Sequence, residues 1–174
     1  GYTLNTPEEN KFLMQKHELI AEVDVLLGGR AAEDVFLGEI STGAGNDLER
    51  ATDIIKSMAG IYGMSDIAGL MVLEKQRNTF LNGGTTKDYS DSMAQKLDDH
   101  IKKTLEDRYA IVKERLVEYR GCIERIVSSL NEHETIDGEH LRELIVRFEQ
   151  EHAMESKLQH LPKSDHKPKE DTQA

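Results

Sequence analysis

Tryptophan is absent from this 174-residue chain, aromatic residues make up only 5% of it, and cysteine occurs once, at Cys122. A lone cysteine excludes an intramolecular disulfide and a thiolate metal cage, and it fits a reducing compartment. No segment reaches the roughly 18 apolar residues of a membrane-spanning helix. The N-terminus lacks the basic start and apolar run of a signal peptide. Positive charge is also in deficit: 22 Lys and Arg stand against 33 Asp and Glu, for a net charge of −11. Nucleic acid is therefore disfavoured as a partner, because binding a phosphate backbone needs clustered cations that displace counterions.

What is present is 37% hydrophobic and 32% charged. That balance suits helices with solvated faces better than a β-sandwich. The length admits one domain with a real core, or a domain plus a tail. The chain opens on Gly1-Tyr2-Thr3-Leu4, which reads like the middle of a strand, so we expect further residues upstream. Thr6-Pro7-Glu8-Glu9 then carries the cap, the proline and the trailing Glu of a helical turn. From Lys16, the apolar positions Leu19, Ile20, Val23, Leu26, Leu27, Ala31 and Val35 recur at three- and four-residue steps. Gly28-Gly29 sits inside that run. Two helical glycines cost on the order of 1 kcal/mol each relative to Ala, so either another backbone packs close against them or the helix breaks there. Gly38 ends the run.

The next stretch, Ser41-Thr42-Gly43-Ala44-Gly45-Asn46-Asp47-Leu48-Glu49-Arg50-Ala51-Thr52, takes a glycine-spaced turn straight into a helix. Asn46 reads as its cap, with Glu49 as the reciprocal half of a capping box, which puts Asp47 in the first turn. By itself such a carboxylate points first to helix initiation, favoured by the macrodipole. The helix buries Leu48, Ala51, Ile54, Ile55 and Met58 and stops near Gly60 to Gly63. Leu70 to Leu73 reads as a short strand or a loop anchored in the core, and the glycine-containing stretch 82–86 as a flexible surface loop. Ser90 caps a long helix with Met93, Leu97, Ile101, Leu105, Val112 and Leu116 on one stripe. Arg120-Gly121 marks a stop or kink. Ile123, Ile126, Val127 and Leu130 define a shorter helix, and Asp137 caps a last one carrying Leu141, Leu144, Ile145 and Phe148. From 149 to 174 the sequence is charged, holds Pro162 and Pro168, and reads as a disordered tail with at most a residual helical turn.

The search for chemistry is mostly negative. Gly43 and Gly45 do not supply a phosphate-binding loop, which needs a following Lys and Ser or Thr. Ser41 lacks the flanking glycines of a nucleophile elbow. Cys122 falls within an amphipathic helix, where a small buried hydrophobe is expected. His17-Glu18 begins like a zinc motif but has Ala21 where the second imidazole must stand, and His133-Glu134 has Asp137 there. His100, His140, His152, His160 and His166 lie on polar faces or in the tail, where solvated histidines are expected.

Several ordered motifs nevertheless share one source. They are Gly1-Tyr2-Thr3-Leu4 with Pro7-Glu8-Glu9, Leu27-Gly28-Gly29-Arg30-Ala31-Ala32-Glu33, Gly38-Glu39-Ile40-Ser41-Thr42-Gly43-Ala44 with Asn46-Asp47-Leu48, Tyr62-Gly63-Met64-Ser65, and Glu134-Thr135-Ile136-Asp137-Gly138. Together, from Gly1 to about Phe148, they resemble the zinc peptidase domain of the FtsH family of membrane-anchored, ATP-dependent metalloproteases. The resemblance implies a mainly α fold: a helical peptidase part with a short N-terminal edge strand, then a C-terminal helical hairpin or bundle and a disordered tail. It divides the chain into a zinc-ligand-bearing part (1–73), a flexible loop (74–89), an assembly part (90–148) and the tail (149–174). It makes Asp47 the family's third zinc ligand, beside two His of an HExxH helix whose Glu acts on the metal-bound water. Three protein ligands leave zinc a fourth position for that water, whose pKa falls toward about 7. Glu33 is the second candidate carboxylate and is given a supporting role, as are Thr42 and Asn46, which are placed to orient Asp47.

By the same resemblance Gly1, Tyr2, Thr3 and Leu4 form the edge strand along which an extended protein or peptide substrate lies. The helices from Ser90 onward pack protomers into a homo-hexamer. The HExxH helix, the ATPase module that uses ATP and the membrane anchor belong upstream of Gly1, so we expect a fragment without tight zinc binding or peptidase activity of its own. Its membrane link would run only through the upstream anchor, with this domain on the cytoplasmic side. The alternative is a noncatalytic helical assembly module or an inactive homologue.

Overall fold

The computed structural model describes residues 13–76, 85–87 and 89–159. The expected edge strand at Gly1 to Leu4 and the helical turn at Thr6 to Glu9 lie outside those residues. The described part is mainly helical, as the composition requires. Two compact units divide between Val117 and Glu118.

The first unit is built on α1 (Lys16–Ala32), α2 (Gly45–Gly60) and nearly all of α3 (Asp91–Glu118). Helix α1 begins where Glu18 reaches back to the backbone N–H of Gln15, at 2.7 Å. It runs through Gly28 and Gly29 without a break, and a Cβ added at either glycine would meet nothing within 4 Å. Neither expected explanation holds. The helix does not break, and no described backbone packs against the pair. Continuity follows from the flanking residues, since Val23, Leu26, Leu27 and Ala31 bury one stripe and hold the helix from both sides of the glycines.

Val23, Leu26 and Leu27 of that stripe meet Ala51, Ile55 and Ala59 of α2 and Leu97 and Ile101 of α3 in one core. Two polar links run from α1 and its continuation to α3. Arg108 grips Asp24 through two nitrogens, the Nε donating at 2.7 Å, and Asp34 accepts from Lys113 Nζ at 2.7 Å and Tyr109 Oη at 2.9 Å. Those two bonds hold the Asp34 carboxyl below its ordinary range, the Lys113 bond contributing most. Ser90 caps α3 as expected, its Oγ accepting from Met93 N–H at 3.3 Å.

After α2, Gly63 and Gly69 turn the chain through positive φ. Leu70 is 95% exposed while Leu73 is 1% exposed, so this apolar run is the core-anchored loop and not a strand. Strand pairing starts one residue later. β1 (Glu74–Gln76) pairs antiparallel with β2 (Thr85–Lys87), inside what the sequence pattern assigns to a loop. The buried Glu74 anchors this ribbon, ion-paired with Lys56 Nζ at 3.2 Å and accepting from Tyr89 Oη at 3.4 Å.

The second unit holds α4 (Arg120–His133) and α5 (Gly138–Gln159). The stop expected at Arg120-Gly121 falls at Tyr119, between α3 and α4. Cys122 is buried, as a small hydrophobe. Asp137 caps α5, accepting from His140 N–H at 2.8 Å. Helix α5 continues past Phe148, where the tail was expected to begin, to Gln159. One contact from α4 and two within α5 sustain it: Glu151 accepts from Arg125 of α4 at 2.6 Å and from Arg147 one turn earlier in α5 at 3.2 Å, and Phe148 stacks on His152 with ring centroids 5.8 Å apart. Residues 160–174 lie outside the described part.

Candidate metal centre

The loop before α2 is held by a carboxylate eight residues upstream of its first anchor. Beyond Ala32 the backbone widens into a π-helical segment, Glu33–Leu37, closed by a Gly38 N–H bond to the Glu33 carbonyl at 3.1 Å with Gly38 at φ 71°. Such a wide turn re-aims the side chains it carries. Glu33 Oε2 accepts from the Ser41 N–H at 2.9 Å and Oε1 from the Ser41 hydroxyl at 2.6 Å. Ser41 Oγ in turn accepts from Gly43 N–H at 3.1 Å. The Ser41 hydroxyl bond, then its backbone bond, hold the Glu33 carboxyl below its ordinary range.

Ser41 caps a single 3-10 turn, Thr42–Ala44, which passes directly into α2. The cap expected at Asn46 is therefore displaced. Ala44 occupies the N-cap position without a side-chain bond, and Asn46 lies inside the helix, exposed. The 3-10 turn already engages the early backbone groups, so no Asn side chain is needed there. Asp47 still stands in the first turn of α2, as expected. It is half-buried, and no hydrogen bond or ion pair from a described residue reaches its carboxylate. Thr42 is exposed on the 3-10 turn.

The two carboxylates of the region thus differ in kind. Both Glu33 oxygens are engaged by Ser41, and Arg30 lies 3.9 Å away. Asp47 presents open oxygens on a regular helix, where the macrodipole favours a negative charge. Ser41, which lacks the flanking glycines of a nucleophile elbow, instead joins Glu33 to the approach to Asp47. A Ser two residues before Gly43 is a recognisable turn signal, but its partner at Glu33 is not legible from local pattern.

The incomplete histidine motifs do not converge on a metal site, and the expected substrate strand at Gly1 to Leu4 lies outside the described residues. His17 and Ala21 are exposed on α1. His133 Nδ1 lies 3.1 Å from the Ser129 carbonyl, and His140 Nε2 lies 3.3 Å from Ser129 Oγ, near the α4–α5 turn. Among the described residues no group of three or more His, Cys, Asp or Glu is gathered closely enough to hold a metal ion.

The sequence profile of peptidase family M41 matches residues 1–144, most of the chain. The chain belongs to this family. Relatives bear this out: a protein from Helicobacter felis is 63% identical over 160 residues, covering 91% of this M41 chain and 25% of the relative. One from Sulfurovum sp. is 57% identical over 165 residues, covering 94% and 25%, and one from Thermotoga maritima is 41% identical over 148 residues, covering 83% and 24%. Each of the three is called ATP-dependent zinc metalloprotease FtsH. The chain spans about a quarter of the length of these relatives.

The zinc in those names can be tested against the donors present in the M41 chain. Zinc accepts carboxylate oxygen alongside imidazole nitrogen. Asp47 fits as one oxygen donor, because its carboxylate is open and its backbone is fixed. Glu33 fits poorly, since coordination would compete with both bonds from Ser41. No helix among the described residues is long and apolar enough to cross a membrane.

Proposed function

We propose that this chain supplies Asp47 as the third protein ligand of the zinc in an ATP-dependent metalloendopeptidase, with an HExxH helix elsewhere in the longer protein providing two His and the acid/base Glu. The observation that carries the assignment is the contrast between the open carboxylate of Asp47 and the fully engaged one of Glu33. Bound zinc supplies Lewis-acid activation of water for attack on a peptide carbonyl. Asp47 contributes negative charge and a fixed oxygen, set by α2. Glu33 acts at one remove by holding the loop, and Thr42 and Asn46, which make no hydrogen bond to the Asp47 carboxylate here, take up orienting contacts to it only in the zinc-bound protein.

The substrates are proteins or peptides laid in extended form along Gly1 to Leu4, read through backbone hydrogen bonds. The helices of residues 90–148 pack protomers into a homo-hexamer, and ATP is used by a separate module of the longer protein. Attachment to a membrane runs through that longer protein, with this domain facing the cytoplasm. The 174 residues alone neither hold zinc tightly nor cleave peptides, because a single carboxylate does not make a zinc site. In the full-length protein Asp47→Ala abolishes peptide hydrolysis, measured with a fluorogenic peptide. Undiminished hydrolysis by that variant rejects the assignment, as does a longer sequence that lacks both histidines of the HExxH helix.

A further inference from the structure

No flexible joint separates Ser41 from Asp47. Ser41 caps the 3-10 turn, the Gly45 N–H bonds back to the Thr42 carbonyl, and the chain is helical from Thr42 through Asp47 and beyond. The near end of this rigid unit is fastened at Ser41 through both of its polar groups to both oxygens of Glu33. Glu33 opens the π-helical segment, and its neighbour Asp34 is fastened to Lys113 and Tyr109 of α3. Gly43 closes the arrangement from the other side. A Cβ there would lie 3.3 Å from Ser41 Oγ and 3.9 Å from Glu33 Oε1, so a larger residue would press on the clasp.

We infer that Ser41 is a positioning residue for the zinc ligand: through its clasp on Glu33 it fixes where the first turn of α2 begins and hence where the Asp47 carboxylate stands. The inference rests on the assignment of Asp47 as a ligand and adds to it a second residue with no contact to the metal. It also gives Glu33 a definite task. Glu33 serves as the anchor of the clasp, and zinc binding leaves both of its oxygens on Ser41. Losing a partner of this kind weakens metal binding by about 10–100-fold without removing a ligand.

The test uses the full-length protein and zinc affinity measured by competition with a chromophoric chelator, alongside peptide KM and thermal midpoint. Ser41→Ala weakens zinc binding by about 10–100-fold, with KM for peptide unchanged, while Ser41→Thr, which keeps the hydroxyl, stays within about threefold of the parent. If Ser41→Ala fails to fold, Glu33→Ala serves instead, since it removes both acceptors of the bonds from Ser41, and it too weakens zinc binding at least about tenfold. Unchanged zinc affinity in the folded Ser41→Ala variant, or in Glu33→Ala, overturns the inference. Equal losses for Ser41→Ala and Ser41→Thr overturn it too. Failure of the underlying assignment looks different: Asp47→Ala would then retain zinc. If Asp47→Ala loses zinc while Ser41→Ala does not, Asp47 stands as a ligand and the positioning role falls.

Discussion

Replacing Gly28 and Gly29 together by alanine should stabilise this chain. Both glycines lie in the interior of a continuous helix, and both would admit a Cβ without contact. The steric term is therefore absent and only the backbone term remains. A helical glycine is about 1 kcal/mol less favourable than alanine, so the double substitution should gain about 2 kcal/mol. For a chain of this size that corresponds to a rise of about 4–8 °C in thermal midpoint. Thermal unfolding of the 174-residue chain followed by far-ultraviolet circular dichroism measures it, with each single variant contributing about half. A neutral or lower midpoint for the double variant would refute the reasoning, because it would require either a broken helix or a neighbour pressed against the glycine pair.

Two further outcomes follow from the links between α1, its π-helical continuation and α3. Removing the Asp24 carboxylate as Asp24→Ala leaves Arg108 without its bidentate partner; both side chains are about a quarter exposed, so solvent screening reduces the loss to about 1–2 kcal/mol, read as a lower urea midpoint at unchanged slope. Asp34 carries the pH dependence of the second link. Its folded pKa lies below the ordinary 3.8, owing first to Lys113 and then to Tyr109, so its contribution is fully present above that value and is lost as pH falls through the depressed folded value. Asp34→Asn should therefore flatten the acid limb of the stability profile, measured by urea unfolding between neutral and acid pH.

Much of this architecture is legible in the sequence because helices are local. Three- and four-residue spacing finds α1 to α5, and Ser90 and Asp137 mark two of their starts by chemistry that reaches only three residues ahead. Asp47 falls in the first turn of α2 even though the expected cap at Asn46 does not form, because Ser41 starts a 3-10 turn earlier and shifts the whole entry. What escapes the sequence depends on partners far along the chain. The π-helical segment aims Glu33 at Ser41 and Asp34 at α3, the latter across 79 residues to Lys113. The β1–β2 ribbon is anchored by the burial of Glu74 among Lys56 and Tyr89, and no period-two pattern announces three-residue strands. The continuation of α5 to Gln159 likewise rests on Arg125, a residue of the neighbouring helix. The candidate site itself was visible only as an ordered set of motifs. Local spacing identifies Asp47 as a helix-starting carboxylate, and the geometry separates it from Glu33.

The most direct measurement is a crystal structure of the full-length protein at the zinc absorption edge, in which the metal is located by anomalous scattering. The account predicts an Asp47 carboxylate oxygen about 2.0–2.2 Å from zinc, with Glu33 still bonded to Ser41. Zinc coordinated by Glu33, with the Asp47 carboxylate free, would contradict it.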